Sequence, residues 1–271
     1  MGIARAPAEH MSAPTPEEIY RRTKEEGERR LERPLLEEVT TALAAGFDIV
    51  AGLAVFALLQ ASLSHLLGRE AAHVVASVGF GVSFVFLVVG RGELFTENFL
   101  VPLAGLDHRS GESMRSLLKL WTTSPLFNIL GGLVVVLLLT VHSVLPYGTG
   151  TPLIHQAEVI HANGVLALFI SAVFAGALIT AMTWFVEGQE SVGVRVAVAW
   201  IVGFIIVLGS FNHVIVDTIE LIFGYRFGAH FSWLFILGNF GLAAAGNMLG
   251  GIGLVTLNRF AQGKAEGSVS A

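Results

Sequence analysis

The chain of 271 residues contains no cysteine, which excludes disulfides, thiolate catalysis and cysteine-ligated metal centres and leaves the redox compartment open. It is also poor in charge: 14% of its residues are Asp, Glu, Lys or Arg, against roughly 25% in an ordinary soluble domain. A soluble enzyme of this length needs more polar surface than that. Residues 1 to 14 carry no uninterrupted apolar run, so the core of a secretory signal is missing and the segment reads as a disordered start. No glycine loop of the Walker type occurs, and ATP-driven transport by this chain alone is not expected. Basic residues near the N-terminus alternate with acids, so there is no nucleic-acid patch. His142, His155 and His161 have no carboxylate at ligand spacing to complete a metal site. No nucleophile and base stand at catalytic spacing, so neither an enzyme nor a cofactor is indicated.

What the chain does have is apolar: 54% of its residues are hydrophobic, with 31 glycines and 19 phenylalanines. That mixture suits helices packed in lipid, where small residues let backbones approach and bulky ones fill gaps or face acyl chains. Charges crowd the first forty residues, where TPEEIYRRTKEEGERRLERPLLEEV has Thr15 as N-cap and Glu–Arg pairs at helical spacing. This describes a solvated helix on a membrane surface, with solubility, gating and docking all open as its role. Residues 1–37 are therefore read as a cytoplasmic N-terminal region, 38–260 as a transmembrane unit and 261–271 as a cytoplasmic tail.

A bilayer core about 30 Å thick asks for about 20 apolar residues per helix. Six stretches qualify: 41–66, 71–104 with an interruption, 116–145, 158–186, 193–224 with an interruption, and 230–260. With the N-terminus inside, the inner segments hold most of the Lys and Arg, whereas the outer loops hold only Arg69 and Arg226, and the connection from Val144 to Glu158 has none. The positive-inside bias places both termini in the cytoplasm.

The second and fifth stretches, VVASVGFGVSFVFLVVGRGELFTENFLVPLAGL and VAVAWIVGFIIVLGSFNHVIVDTIELIFG, share a break at a glycine and polar cluster, after which a short half-helix is expected. One constant offset aligns Gly90 with Gly209, Asn98 with Asp217, Asn128 with Asn247, Gly131 with Gly250 and Gly132 with Gly251. Three spans per half is odd, so the repeat is inverted. The fold class expected is an all-α membrane protein of two inverted three-helix repeats. Interrupted segments at matching positions of inverted halves point to a transport site near the midplane, and half-helix N-termini facing it favour an anion.

The first break carries Arg91, Glu93, Thr96, Glu97 and Asn98, and the second Asn212, His213, Asp217 and Glu220. Ionisable groups inside a span are costly and so are functional candidates. His213 is a neutral donor or a local positive charge, or else a structural histidine on a carbonyl of the broken helix. Thr96 is placed to cap the following half-helix and to reach a solute or His213. Glu93 reads as a brace for the loop's N–H groups, and Asp217, at i+4 from His213, as its pairing partner. Asn128 and Asn247 read as scaffolding for the breaks, Phe80, Phe84 and Phe95 as pore constriction or packing, and Asp48 has no identified partner.

GELFTENFL in the second span, Asn128 with its glycines, GSFNHVIVD in the fifth and GNMLGG in the sixth together resemble the formate/nitrite transporter family, in order and over about 38–260. The resemblance implies an aquaporin-like protomer in the bacterial inner membrane, a homopentamer with one pore per protomer, and small monovalent anions such as formate, nitrite or hydrosulfide as solutes. It also implies His213 as pore histidine and Thr96 as loop threonine, with Leu94 and Phe95 as a constriction beside them. Where members with established anion transport have a small polar residue after the histidine and an asparagine four positions on, this chain has Val214 and Asp217, and Glu97 adds a charge. Such acids and the charged N-terminal helix resemble a divergent branch of the family.

Two pores therefore stand open, one for a small weak acid, passive or proton-linked, and one of the same fold for a cation or neutral solute, its preference reversed by Glu97, Asp217 and Glu220. A membrane scaffold that docks a partner through the N-terminal helix is the third reading.

Overall fold

The computed structural model describes residues 13–269, so the expected disordered start over 1–14 falls mostly outside the described residues. Among these residues the chain is helical throughout, with no strand. Helix α1 (Pro16–Leu31) opens with the capping box that Thr15 and Glu18 encode, each side chain bonding the other's backbone N–H. Proline at position 34 then separates it from α2 (Leu35–Leu67).

Length and apolar composition together mark out the spans. The helices long and apolar enough to cross a membrane are α2, the α3–α4 pair (Arg69–Phe80 and Val82–Gly90), α6 (Gly111–Leu139), α8 (Val165–Glu187) and the run Trp233–Ala265. The apolar α9 (Val192–Leu208) is shorter, because it stops at the second break and the chain resumes as α10 (Val214–Phe227). Beyond the first break the expected half-helix is instead a 3-10 turn, Phe95–Phe99, leading into the five-residue α5 (Val101–Gly105). The expected span over 158–186 also differs. The chain between Val144 and Glu158 is not all loop: α7 (Gly150–Ala162) packs along α10, and Asn163–Gly164 separates it from α8.

Two tight crossings set the frame. Helix α2 runs against α6, where a Cβ on Gly46 would strike the Asn128 carbonyl. Helix α8 runs against α11 (Trp233–Met248) and the π-helical segment Leu249–Thr256, where a Cβ on Gly176 would strike the Asn247 carbonyl. Only glycine allows these backbones to touch. The π segment bonds across the molecule, since Thr256 Oγ1 donates to the Phe99 carbonyl at 2.7 Å. Helix α12 (Leu257–Val269) closes the chain beside α1, which also lies on α5. The buried core, including Phe56, Phe80, Phe84, Phe99 and Phe223, surrounds the two breaks.

Candidate functional site

A backbone that leaves its helix within an apolar bundle must find hydrogen-bond partners elsewhere. At the first break α4 ends on Gly90 and Arg91, the latter left-handed at φ 59°, and the chain runs extended to Leu94. Asn128 on α6 serves this stretch with its whole side chain. Its Oδ1 accepts from Phe95 N–H at 3.0 Å, and its Nδ2 donates to the carbonyls of Glu93 and Ala42, both at 2.9 Å. At the second break α9 ends at Gly209, Ser210 is left-handed at φ 47°, and Asn247 repeats the arrangement. Its Oδ1 accepts from Val214 N–H at 2.9 Å, and its Nδ2 donates to Ala172 at 2.7 Å and Asn212 at 3.1 Å. Asn212 is fixed in turn by reciprocal amide bonds with Asn239, 2.9 and 3.1 Å.

The two breaks meet through side chains. Thr96 Oγ1 and His213 Nε2 lie 2.8 Å apart, both residues being fully buried. His213 is also the N-cap of α10, its Nδ1 accepting from Val216 N–H at 3.2 Å. A ring nitrogen that accepts carries no proton, so the neutral ring holds its hydrogen on Nε2 and donates it to Thr96. Converting the ring to imidazolium would require a proton on Nδ1 and so would break the cap. The threonine hydroxyl accepts from the ring and keeps its own hydrogen for another acceptor.

The neighbouring acids sit differently from the sequence expectation. Asp217 does not pair with the imidazole, because its Oδ1 accepts from the backbone N–H of His213 at 3.2 Å. An orphan N–H at a helix start competes well for a carboxylate one turn away. Glu93 is not the brace for the loop. Its carboxylate faces Arg30 and Arg33, and Glu97 supplies the brace by accepting from Leu94 N–H at 3.2 Å. Asn98 points away from Thr96, accepting from Arg30 Nη1 at 3.2 Å and donating to Ser124 Oγ at 3.3 Å. Leu94 is fully buried and Phe95 nearly so, the Phe95 ring meeting Phe99 edge-on at 4.9 Å. Phe80 packs with Phe84, centroids 6.1 Å apart. Gly209 lies under the Phe211 ring, and Gly90 has only Asp48 Oδ2 near its vacant Cβ position, at 4.0 Å.

The contribution of α1 could not be seen in the sequence. Arg30 and Arg33 are buried, and with Glu26 and Glu93 they form an ionic lattice against the first break. Burial alone would lower the Arg30 pKa, but the charges of Glu93 and Glu26 outweigh it and raise it. For Glu26, burial pushes the pKa up, and the Arg29 hydrogen bond with the Arg30 charge brings it down to about 2. This lattice lines a cavity of about 460 Å³ that also includes Arg91, Glu97 and Glu187. Among the described residues no group of three His, Asp or Glu side chains is placed to hold a metal ion.

Residues 17–261 match the family model for formate/nitrite transporters. The chain belongs to the formate/nitrite transporter family. A member of this family is an integral membrane protein, in keeping with the apolar helices above. The inner membrane protein YfdC of Escherichia coli (strain K12) is 25% identical over 251 residues, covering 90% of this chain and 77% of that one. Two solved structures share the fold. One is described as an FNT family ion channel, with a TM-score of 0.73 and 18% identity over 89% of this chain and 97% of that one. The other is a pentameric formate channel with formate bound, with a TM-score of 0.70 and 19% identity over 83% of this chain and 96% of that one.

Proposed function

We propose that this formate/nitrite transporter family member is a pore for a small monovalent weak-acid anion of the formate, nitrite or hydrosulfide type. The Thr96–His213 contact carries the reading. It joins the two broken segments, and the tautomer that Val216 N–H imposes on the ring leaves the Thr96 hydroxyl with a hydrogen to offer a passing anion. In this reading His213 works as a neutral donor that orients Thr96, rather than as a charged escort. Leu94 and Phe95 give the site an apolar wall, which excludes strongly hydrated ions and favours a weakly solvated solute.

The matched roles of Asn128 and Asn247, and of Gly46 and Gly176, support six spans arranged as two inverted halves. The pentameric formate channel among the similar folds supports a homopentamer, and the YfdC relative supports an inner-membrane location; the bias of Lys and Arg toward the inner segments supports cytoplasmic termini. The unit boundaries stay at 1–37, 38–260 and 261–271. Purified full-length protein in liposomes tests the proposal: formate, nitrite or hydrosulfide should enter faster than potassium or ammonium, and Thr96→Val should slow the entry. A vesicle that passes only cations would overturn it.

A further inference from the structure

A second polar site lies on the other side of the His213 turn. Asp217 and Glu220 stand three residues apart on α10 and line one small cavity. Both are 5% exposed, and Glu220 Oε1 is buried without a hydrogen-bond partner among the described residues. Gln156 lines the same cavity from α7; it is 8% exposed, and among the described residues its carboxamide has no partner either. Ser210 completes the polar wall, and among the described residues no Lys, Arg or His lines the cavity. The volume is about 10 Å³, room for a single water-sized guest.

We propose that this cavity is a binding site for one small monovalent cation. Two neighbouring carboxylates, one of them with an unpaired oxygen, repel one another and have no cation among the described residues to offset them, and burial without a partner is costly. Every ligand offered is a hard oxygen: carboxylates from Asp217 and Glu220, the amide carbonyl of Gln156 and the hydroxyl of Ser210. These groups bring six oxygens at most, one of which, Asp217 Oδ1, is already engaged by the His213 backbone N–H, and the cavity has no room for added water, so the set falls short of the six to eight oxygens that calcium takes. The size of the cavity admits sodium, potassium or ammonium and excludes a bulky organic cation. Because α7 and α10 each contribute, a bound cation ties the two helices together and stabilises the fold. The site does not require the anion reading above, since it concerns binding rather than passage.

The test is thermal unfolding of the full-length protein in lipid nanodiscs, at fixed pH and ionic strength, in sodium, potassium, ammonium or N-methyl-D-glucamine chloride. At tenfold saturation at least one small cation should raise Tm by roughly 3 °C over N-methyl-D-glucamine, and the rise should saturate. Glu220→Gln and Gln156→Leu should each reduce that difference, while the surface change Glu190→Gln should leave it intact. Sodium NMR line broadening that Gln156→Leu removes gives a second readout should Glu220→Gln fail to fold. Equal Tm values in all four salts would overturn the proposal. So would a cation response undiminished in both cavity variants; a repeat of the series at a second fixed pH that shifts Tm equally in all four salts would mean the pair holds only a proton. Failure of anion uptake in the liposome assay, with the cation response intact, would overturn the anion pore and leave this site standing.

Discussion

Thr96 Oγ1 and His213 Nε2 are 2.8 Å apart although 117 residues separate them in the chain, so the two breaks share one hydrogen bond. Thr96→Val keeps the shape and removes both the acceptor for the ring and the free hydroxyl hydrogen. Losing one such bond, at about 1.5 kcal/mol, should slow anion uptake roughly tenfold. His213→Asn should act similarly on flux yet spare the helix, because asparagine is a good N-cap, whereas His213→Ala should lose flux and some stability. Stopped-flow uptake set beside melting curves separates the two effects.

Asp217→Asn leaves an oxygen to accept from the His213 backbone N–H and removes the charge. The fold is expected to survive and passage to shift toward anions over cations. Reversal potentials measured under a salt gradient check this. An unchanged potential would mean that Asp217 does not face the path.

Asn128→Ala and Asn247→Ala each delete three hydrogen bonds and strand a buried N–H, that of Phe95 or Val214. A loss of about 2 kcal/mol or more is expected from either change, visible as a lower melting temperature in detergent. The mutants should lose similar amounts, since each asparagine makes the same set of contacts.

Glu26 gives a pH prediction outside the membrane segments. Its carboxylate falls from the ordinary 4.5 to about 2 in the folded protein, so its share of α1 docking is fully present above about pH 4.5 and is lost as pH falls toward 2. Hydrogen exchange over residues 16–31 should therefore speed up as pH drops through that window, after correction for intrinsic exchange. Glu26→Gln should flatten the response.

The apolar helices were legible from their composition, and both breaks because a glycine and polar cluster inside an apolar run has few other meanings in lipid. Asn128 and Asn247 were legible through a constant offset. Their acceptors Ala42 and Ala172, and the glycines Gly46 and Gly176, were not, because the offset that joins the asparagines does not join these earlier residues. Arg30 and Arg33 were hidden for another reason. A helix rich in Glu–Arg pairs reads as solvated, and nothing in its spacing tells that two of its arginines reach inward to Glu93. The ring pairing expected of Asp217 fails because i+4 spacing identifies a shared face but does not decide between ring and backbone. Helix α7 was obscured by the Pro, Gly and Thr residues around its start.

The asparagine anchors bear on how such a pore would keep time. Each non-helical stretch is nailed through one amide to two other helices, α2 and α6 on one side and α8 and α11 on the other. Rocking either stretch away from its asparagine would sever two bonds together, so these loops are poor moving parts for a carrier cycle. A fixed aperture of this kind turns over as fast as the solute can shed and regain its water, and its throughput should rise with concentration long after a rocking carrier would have saturated.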